Sequence, residues 1–267
     1  KHLGVILHAM LHQEYSSIVD KAQIRLYTNQ ADVEKLSMEA RKIYNQRDER
    51  LAGMTDESVD TFYSCLLCQS STPNHVCIVT PQCAGLCGAY SWLDAKAAFE
   101  ITPTGPNQPI PKGSLLDVRL GQWKNINEFI WQSSNHTIDK VSMYSLMDGP
   151  RSSCGCFECI VAILPEANGV IIVLREYSGM TPSWMSFITL AGLVGGGVQS
   201  PGFLGVPKLY ILSKKFISAE GGLKRVVWMP QELKEILGDR LREALLQAGP
   251  ADLLDKIADE STATSSE

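Results

Sequence analysis

What this chain of 267 residues lacks narrows its function first. No stretch reaches the roughly 18 consecutive apolar residues that a membrane-crossing helix needs. The best candidate, Ile188–Val194, is short and runs into glycines. No basic run exceeds Arg47–Arg50, which acids interrupt, and the formal net charge is −5. A surface that tracks phosphates needs the opposite balance, so neither nucleic acid nor membrane is expected as a partner. The opening Lys1-His2-Leu3-Gly4 has neither an initiator Met nor a signal-peptide layout, and a fragment of a cytoplasmic protein is expected. Asn135-His136-Thr137, a glycosylation triplet by pattern, then reads as a surface turn.

What is present is ordinary for a globular chain: 45% hydrophobic and 20% charged residues, with Gly at 21 and Pro at 13. That length buries a core without disulfides. Apolar spacing at Leu3, Ile6, Leu7, Met10 and Leu11 predicts a helix, Ala22–Tyr27 a strand, and Asp32–Gln46 a second helix. The stretch Arg47–Asp56 carries turn and capping residues and little to bury, which places a domain boundary there, between 1–52 and 53–267. Helices are expected around Ala89–Phe99, Trp123–Ser133, Pro230–Gln247 and Ala251–Ala258. Strands are expected at Ser142–Leu146, Gly169–Leu174, Lys208–Leu212 and Arg225–Trp228. The fold class is α/β in the mixed α+β sense, with mixed sheets flanked by helices and a loop-rich metal site. The Ser/Thr/Glu tail from Glu260 has no apolar content to order it.

All eight cysteines fall between Cys65 and Cys159, which without a secretory signal points to metal ligation. The first group runs Cys65-x2-Cys68-x8-Cys77-x9-Cys87, with Cys83 between the last two. Four thiolates suit an iron–sulfur cubane. A zinc site built from Cys65, Cys68, Cys83 and Cys87 fits the same segment. The second group, Cys154-Gly155-Cys156 followed by Cys159, is too tight for a zinc knuckle. One residue between two thiolates favours a planar chelate: two sulfurs plus the deprotonated backbone nitrogens of Gly155 and Cys156 make the square that Ni(II) accepts. Gly155 is expected to relieve crowding there. Each thiolate keeps a lone pair that can bridge to a second metal with open positions.

The motifs Cys65-Leu66-Leu67-Cys68-Gln69, Pro73-Asn74-His75-Val76-Cys77, Gly85-Leu86-Cys87-Gly88-Ala89, Pro103-Thr104-Gly105-Pro106 and Ser153-Cys154-Gly155-Cys156-Phe157-Glu158-Cys159-Ile160 resemble the acetyl-CoA synthase catalytic subunit of anaerobic bacteria and archaea. In methanogens this is the beta subunit of the acetyl-CoA decarbonylase/synthase complex. Similarity continues through Pro165–Gly169, Gly195–Gln199 and Val227–Pro230. The resemblance implies that Cys65, Cys68, Cys77 and Cys87 hold a [4Fe–4S] cluster. It implies further that Cys68, Cys154 and Cys156 bridge a proximal nickel, the catalytic metal, and that Cys154, Gly155 and Cys156 enclose a distal one. The proximal position also accepts copper or zinc. Cys83 and Cys159 match no ligand position. The implied reaction joins a methyl group from a corrinoid iron–sulfur protein, carbon monoxide from a carbon monoxide dehydrogenase, and coenzyme A into acetyl-CoA, reversibly.

The family carries a bulky aromatic three residues after its second cysteine, where this chain has Ser71. His75 in the cluster loop is expected to be structural, and Gly195–Gly202 to pack tightly near the metals without cradling phosphate. A competing reading makes the chain a non-catalytic iron–sulfur electron-transfer module or a zinc-stabilised binding module.

Overall fold

In the computed structural model, residues 2–19 and 25–262 are described. The chain divides into two compact units, Lys1–Ala52 and Gly53–Glu267. The first contains helices α1 (His2–Val19) and α2 (Gln30–Leu51). Asn29 starts α2: its side chain accepts from the N–H groups of Ala31 and Asp32, two of the donors a helix start leaves unpaired. The helix continues through Arg47–Arg50, where the sequence suggested a turn. Those residues favour helix as strongly as their predecessors, and the stop comes only at Gly53, whose φ is +85°. Of the strand expected at Ala22–Tyr27, residues 22–24 lie outside the described residues and Arg25–Tyr27 form no strand.

The second unit is mixed α+β. It runs β1 (Thr61–Cys65), β2 (Cys77–Val79), α3 (Trp92–Ile101), β3 (Pro109–Pro111), β4 (Leu115–Asp117), β5 (Gln122–Trp123), α4 (Lys124–Ser133), β6 (Cys159–Leu164), β7 (Gly169–Leu174), α5 (Phe187–Val194), β8 (Phe203–Val206), α6 (Lys208–Ile211), β9 (Val226–Trp228) and α7 (Gln231–Ala248). Three sheets result, ordered β2-β1-β3, β4-β5 and β8-β6-β7-β9. Among the described strands, β7 and β9 pair in parallel and the other pairs are antiparallel.

The first sheet obeys strand alternation. Phe62, Ile78 and Ile110 share one face and enter the main core, so Tyr63, Cys65, Cys77 and Val79 share the other. On that second face α3 packs its Trp92 edge-on against Tyr63, with ring centroids 5.9 Å apart. Ser91 begins α3 in a reciprocal capping box with Asp94. The largest sheet is different. β6 and β7 are apolar at nearly every position and bury both faces, as central strands do. A hairpin joins them through Asn168, whose left-handed φ of +47° an asparagine tolerates. Helix α7 closes the core with Leu233, Leu237, Leu241 and Leu245, a four-residue spacing on one face. Each such side chain is worth about 1.5–3 kcal/mol on burial.

Four expectations fail. Ser142–Leu146 is a run of turns: Ser142 N–H bonds back to Gly149, and Met143 and Tyr144 donate to Gly121 and Leu120. Lys208–Leu212 begins the short helix α6 after Pro207, because five residues carry too little periodicity to separate strand from helix turn. Ala251–Ala258 forms turns, ending in a bridge from Ala258 to Trp228. The tail is ordered at its start, since the Glu260 carboxylate accepts from Gln231 N–H at 3.0 Å, while 263–267 lie outside the described residues. Asn135 and His136 do turn at the surface, both with positive φ. No helix among the described residues is long and apolar enough to cross a membrane.

Candidate metal centre

The two cysteine groups meet. Cys65 ends β1 and Cys77 begins β2, and the register makes them direct cross-strand partners, side by side on one face. Cys68 sits on a 3-10 turn, Leu67–Ser70, that starts two residues beyond β1. Cys87 follows in the turn after Gly85, whose N–H is held by Tyr90.

The second group arrives on the approach to β6. Ser153 fixes it from both ends: its hydroxyl accepts from Gly205 N–H at 3.1 Å and its carbonyl accepts from Gly197 N–H at 2.9 Å. Glu158 N–H donates to Leu86, tying this segment to the Cys87 turn, and the Glu158 carboxylate is held by Lys208 at 3.0 Å. Arg175 donates to the carbonyls of Gly155 and Phe157 at 3.2 and 3.3 Å. The glycine run packs here, as its sequence suggested. A side chain at Gly195 would run into the Cys154 carbonyl, and one at Gly197 into Thr72 and His75. Gly155 is different from expectation: a Cβ there meets nothing within 4 Å, because the residue is an exposed tip.

The result is a group of three sulfurs. Those of Cys68, Cys154 and Cys156 all lie within 4.8 Å of one another. Cys154 and Cys156 stand 2.6 Å apart, and Cys68 and Cys156 3.6 Å. The first distance exceeds a disulfide bond of about 2.05 Å. It also lies well inside the contact distance of two unbonded sulfurs.

The hydrogen bond from Cys156 draws Cys154 down to about 3, helped by His75. Cys156 moves up in consequence, keeping the proton its neighbours pull on. Cys87 falls to about 6, chiefly through hydrogen bonding to Cys156. Burial, with the nearby Cys154, pushes Cys68 up to about 11, and burial raises Cys65 and Cys77. Without metal, the Cys154 and Cys87 thiolates are therefore favoured, and the cysteines that stay protonated beside them must release protons as a cation enters.

The donor set fits a thiophilic metal: three convergent sulfurs, one of them already anionic, with the Cys65–Cys77 pair beside them. Cys83 and Cys159 stand apart. Both belong to the hydrophobic core; Cys83 aims its sulfur at the Met143 carbonyl, and Cys159 is enclosed between β7 and β8. A zinc site that needs Cys83 as ligand finds no support in that placement.

His75 is buried, with Nδ1 3.1 Å from the Ser152 hydroxyl and Nε2 without a hydrogen-bond partner. Ser71 is exposed and turns its hydroxyl back to the Cys68 carbonyl. Sequence reasoning missed Arg175 and Glu158. Glu158 lay inside a quoted motif, but nothing local marks an arginine 20 residues from the carbonyl it clamps.

A family model that describes the C-terminal region of the ACS/CODH beta subunit matches residues 44–267. The chain is 53% identical to the carbon monoxide dehydrogenase/acetyl-CoA synthase subunit alpha of Moorella thermoacetica, over 99% of this chain and 36% of that protein. It is 43% identical to the acetyl-CoA decarbonylase/synthase complex subunit beta of Methanopyrus kandleri, over 100% of this chain and 56% of the relative. A solved C-terminal domain of an acetyl-coenzyme A synthase alpha subunit aligns at 55% identity and a TM-score of 0.38, covering 41% of this chain and 80% of that one. The chain thus spans between about a third and just over half the length of these curated relatives.

Proposed function

The chain belongs to the family of C-terminal domains of the ACS/CODH beta subunit, and from that membership we propose that it carries the reaction centre of an acetyl-CoA synthase/decarbonylase. In this reading it is an acyltransferase that joins a methyl group, carbon monoxide and coenzyme A into acetyl-CoA, reversibly. The single observation that supports it best is the meeting of Cys68 with Cys154 and Cys156, from two distant segments, within 4.8 Å.

Cys65, Cys68, Cys77 and Cys87 would hold a [4Fe–4S] cluster, and Cys68, Cys154, Gly155 and Cys156 two nickel ions. Gly53–Glu267 is then the catalytic domain. When bound, the centre supplies open coordination positions and electrons for making and breaking carbon–carbon and carbon–sulfur bonds.

The chain's own residues do the rest. Cys154 offers a thiolate where a neutral thiol would have to ionise first. Arg175 holds the Gly155 and Phe157 carbonyls and so fixes the orientation of the backbone between the two cysteines. Gly195 and Gly197 let the following loop lie against Cys154 and His75 and exclude water from the buried side. The exposed tip at Gly155 leaves the other side open to substrates. The partners follow from the reaction: a carbon monoxide dehydrogenase as source of CO and a corrinoid iron–sulfur protein as methyl donor, in the cytoplasm.

Metal analysis of anaerobically prepared protein tests this. Nickel with about four irons per chain supports the reading, and zinc alone would return the chain to the class of binding modules.

A further inference from the structure

A second set of metal-binding side chains lies outside the cysteine centre, on the first helix. His8 and His12 stand four residues apart on α1, one turn along the same face. Both are exposed, and their ring centres are 5.6 Å apart with the planes tilted by 35°. Neither ring contributes to a core, and histidine is only a middling helix former, so the fold gains little by placing two there.

The chemistry of the pair is specific. A neutral imidazole offers one nitrogen lone pair, and imidazole suits divalent ions such as zinc, nickel and copper. Two imidazoles one helical turn apart chelate a single ion, the arrangement by which helical histidine pairs hold zinc. Rings that share an ion through nitrogens at about 2.0–2.1 Å have centres about 4.5–5.5 Å apart. The observed separation lies just beyond that range, so a small rotation of an exposed side chain closes it, and such rotations are fast. Spacing is decisive: residues five apart diverge by about 140° around a helix and point away from a common ion.

We propose that His8 and His12 form a bidentate surface site for a divalent transition-metal ion, represented by zinc(II), held by two imidazole nitrogens with water in the remaining positions. The donors set it apart from the convergent sulfurs of Cys68, Cys154 and Cys156, which select softer ions. Two neutral ligands add no charge to oppose release, so the site takes up metal reversibly. The proposal stands on α1 alone and is independent of the iron–sulfur reading.

The test titrates the full chain, 15N-labelled at histidine, with zinc(II) at buffered free concentrations and neutral pH. The side-chain signals of His8 and His12 are identified by their absence in His8→Gln and His12→Gln. In wild type both should shift together with one midpoint, at a free zinc concentration about tenfold or more below that which moves His136. His136 is an exposed histidine with no other histidine one turn away. In His8→Gln the midpoint of His12 should rise by about tenfold or more, and that of His8 likewise in His12→Gln. The double variant His12→Gln with Gln13→His keeps the number of histidines and breaks the spacing, and its His8 should respond no better than His136.

Midpoints that match that of His136, or that ignore loss of the partner, would overturn the proposal. Every readout is a histidine signal, so zinc taken by cysteines does not enter it. Should a variant lose the helix, the wild-type comparison of His8 and His12 with His136 decides alone: a common, lower midpoint supports the site, and equal midpoints refute it.

Discussion

Two sheets in the second unit carry cysteines, and they use them in opposite ways. In β2-β1-β3 the strands are short, and Cys65 and Cys77 stand at their ends, where the chain is about to leave the sheet. In β8-β6-β7-β9 Cys159 is paired on both sides, by Leu174 and Val206, with no exposed surface. The thiol is the same; only its distance from a loop differs. A cysteine at a strand end can meet groups brought by another segment, while one enclosed between neighbouring strands serves as a small apolar filler.

The comparison breaks most visibly under substitution of the strand-end thiols. Cys65→Ser or Cys77→Ser should remove essentially all cluster iron, while Cys154→Ser or Cys156→Ser should abolish nickel retention and leave iron–sulfur absorbance largely intact. Metal content per chain and visible absorbance read both, and loss of iron in the second pair would contradict the division of labour. Next in size, Cys159→Ala and Cys83→Ala should keep both metals but cost about 1–2 kcal/mol through the small cavity left in a packed core, as denaturant midpoints report. Iron loss in Cys83→Ala would move that residue into the site.

The supports of the two sheets should also respond to pH in opposite directions. Beside the first sheet, Asp56 is fully buried, accepting from Tyr144 Oη at 2.8 Å and Gln82 N–H at 2.9 Å, and burial raises its pKa. Its contribution is fully present below the unfolded carboxylate pKa of about 4 and is lost as pH rises through the raised folded value. Asp56→Asn should flatten stability against pH in that window, and Tyr144→Phe should cost about 1 kcal/mol. Unfolding curves between acid and neutral pH decide it.

Smallest is the ion pair beside the second sheet, where Lys234 holds Asp259 at 2.7 Å and draws it down to about 2. That stability is present above about 4 and is lost as pH falls towards 2, and Lys234→Met should cost no more than about 1 kcal/mol at neutral pH. A loss that persists at pH 2 would point to packing instead of charge.

How legible all this was depended on range. The leucines of α7 repeat every fourth residue and announce their helix, and β7 is apolar enough, with turn residues before it, to read as a strand. Thr61–Cys65 carried no strand assignment from its sequence, and Lys208–Ile211 was too short for any period to emerge. The cysteine spacing was visible because ligands must be close in sequence or repeated in type. Arg175 was not, since an arginine in sequence says nothing of which carbonyl it will meet. Gly155 misled in the other direction, its small size suggesting crowding where the fold has open space.

The pairing of Cys65 with Cys77 also makes the hairpin a checkpoint during assembly. Because side chains alternate, sliding β2 by one residue would turn Cys77 into the core and Ile78 out towards α3. Such a misaligned chain could still collapse, since both residues are tolerated in apolar surroundings. It could not bring two thiols together on one face. In the proposed cluster, iron uptake would therefore discriminate between strand alignments that hydrophobic burial alone separates weakly.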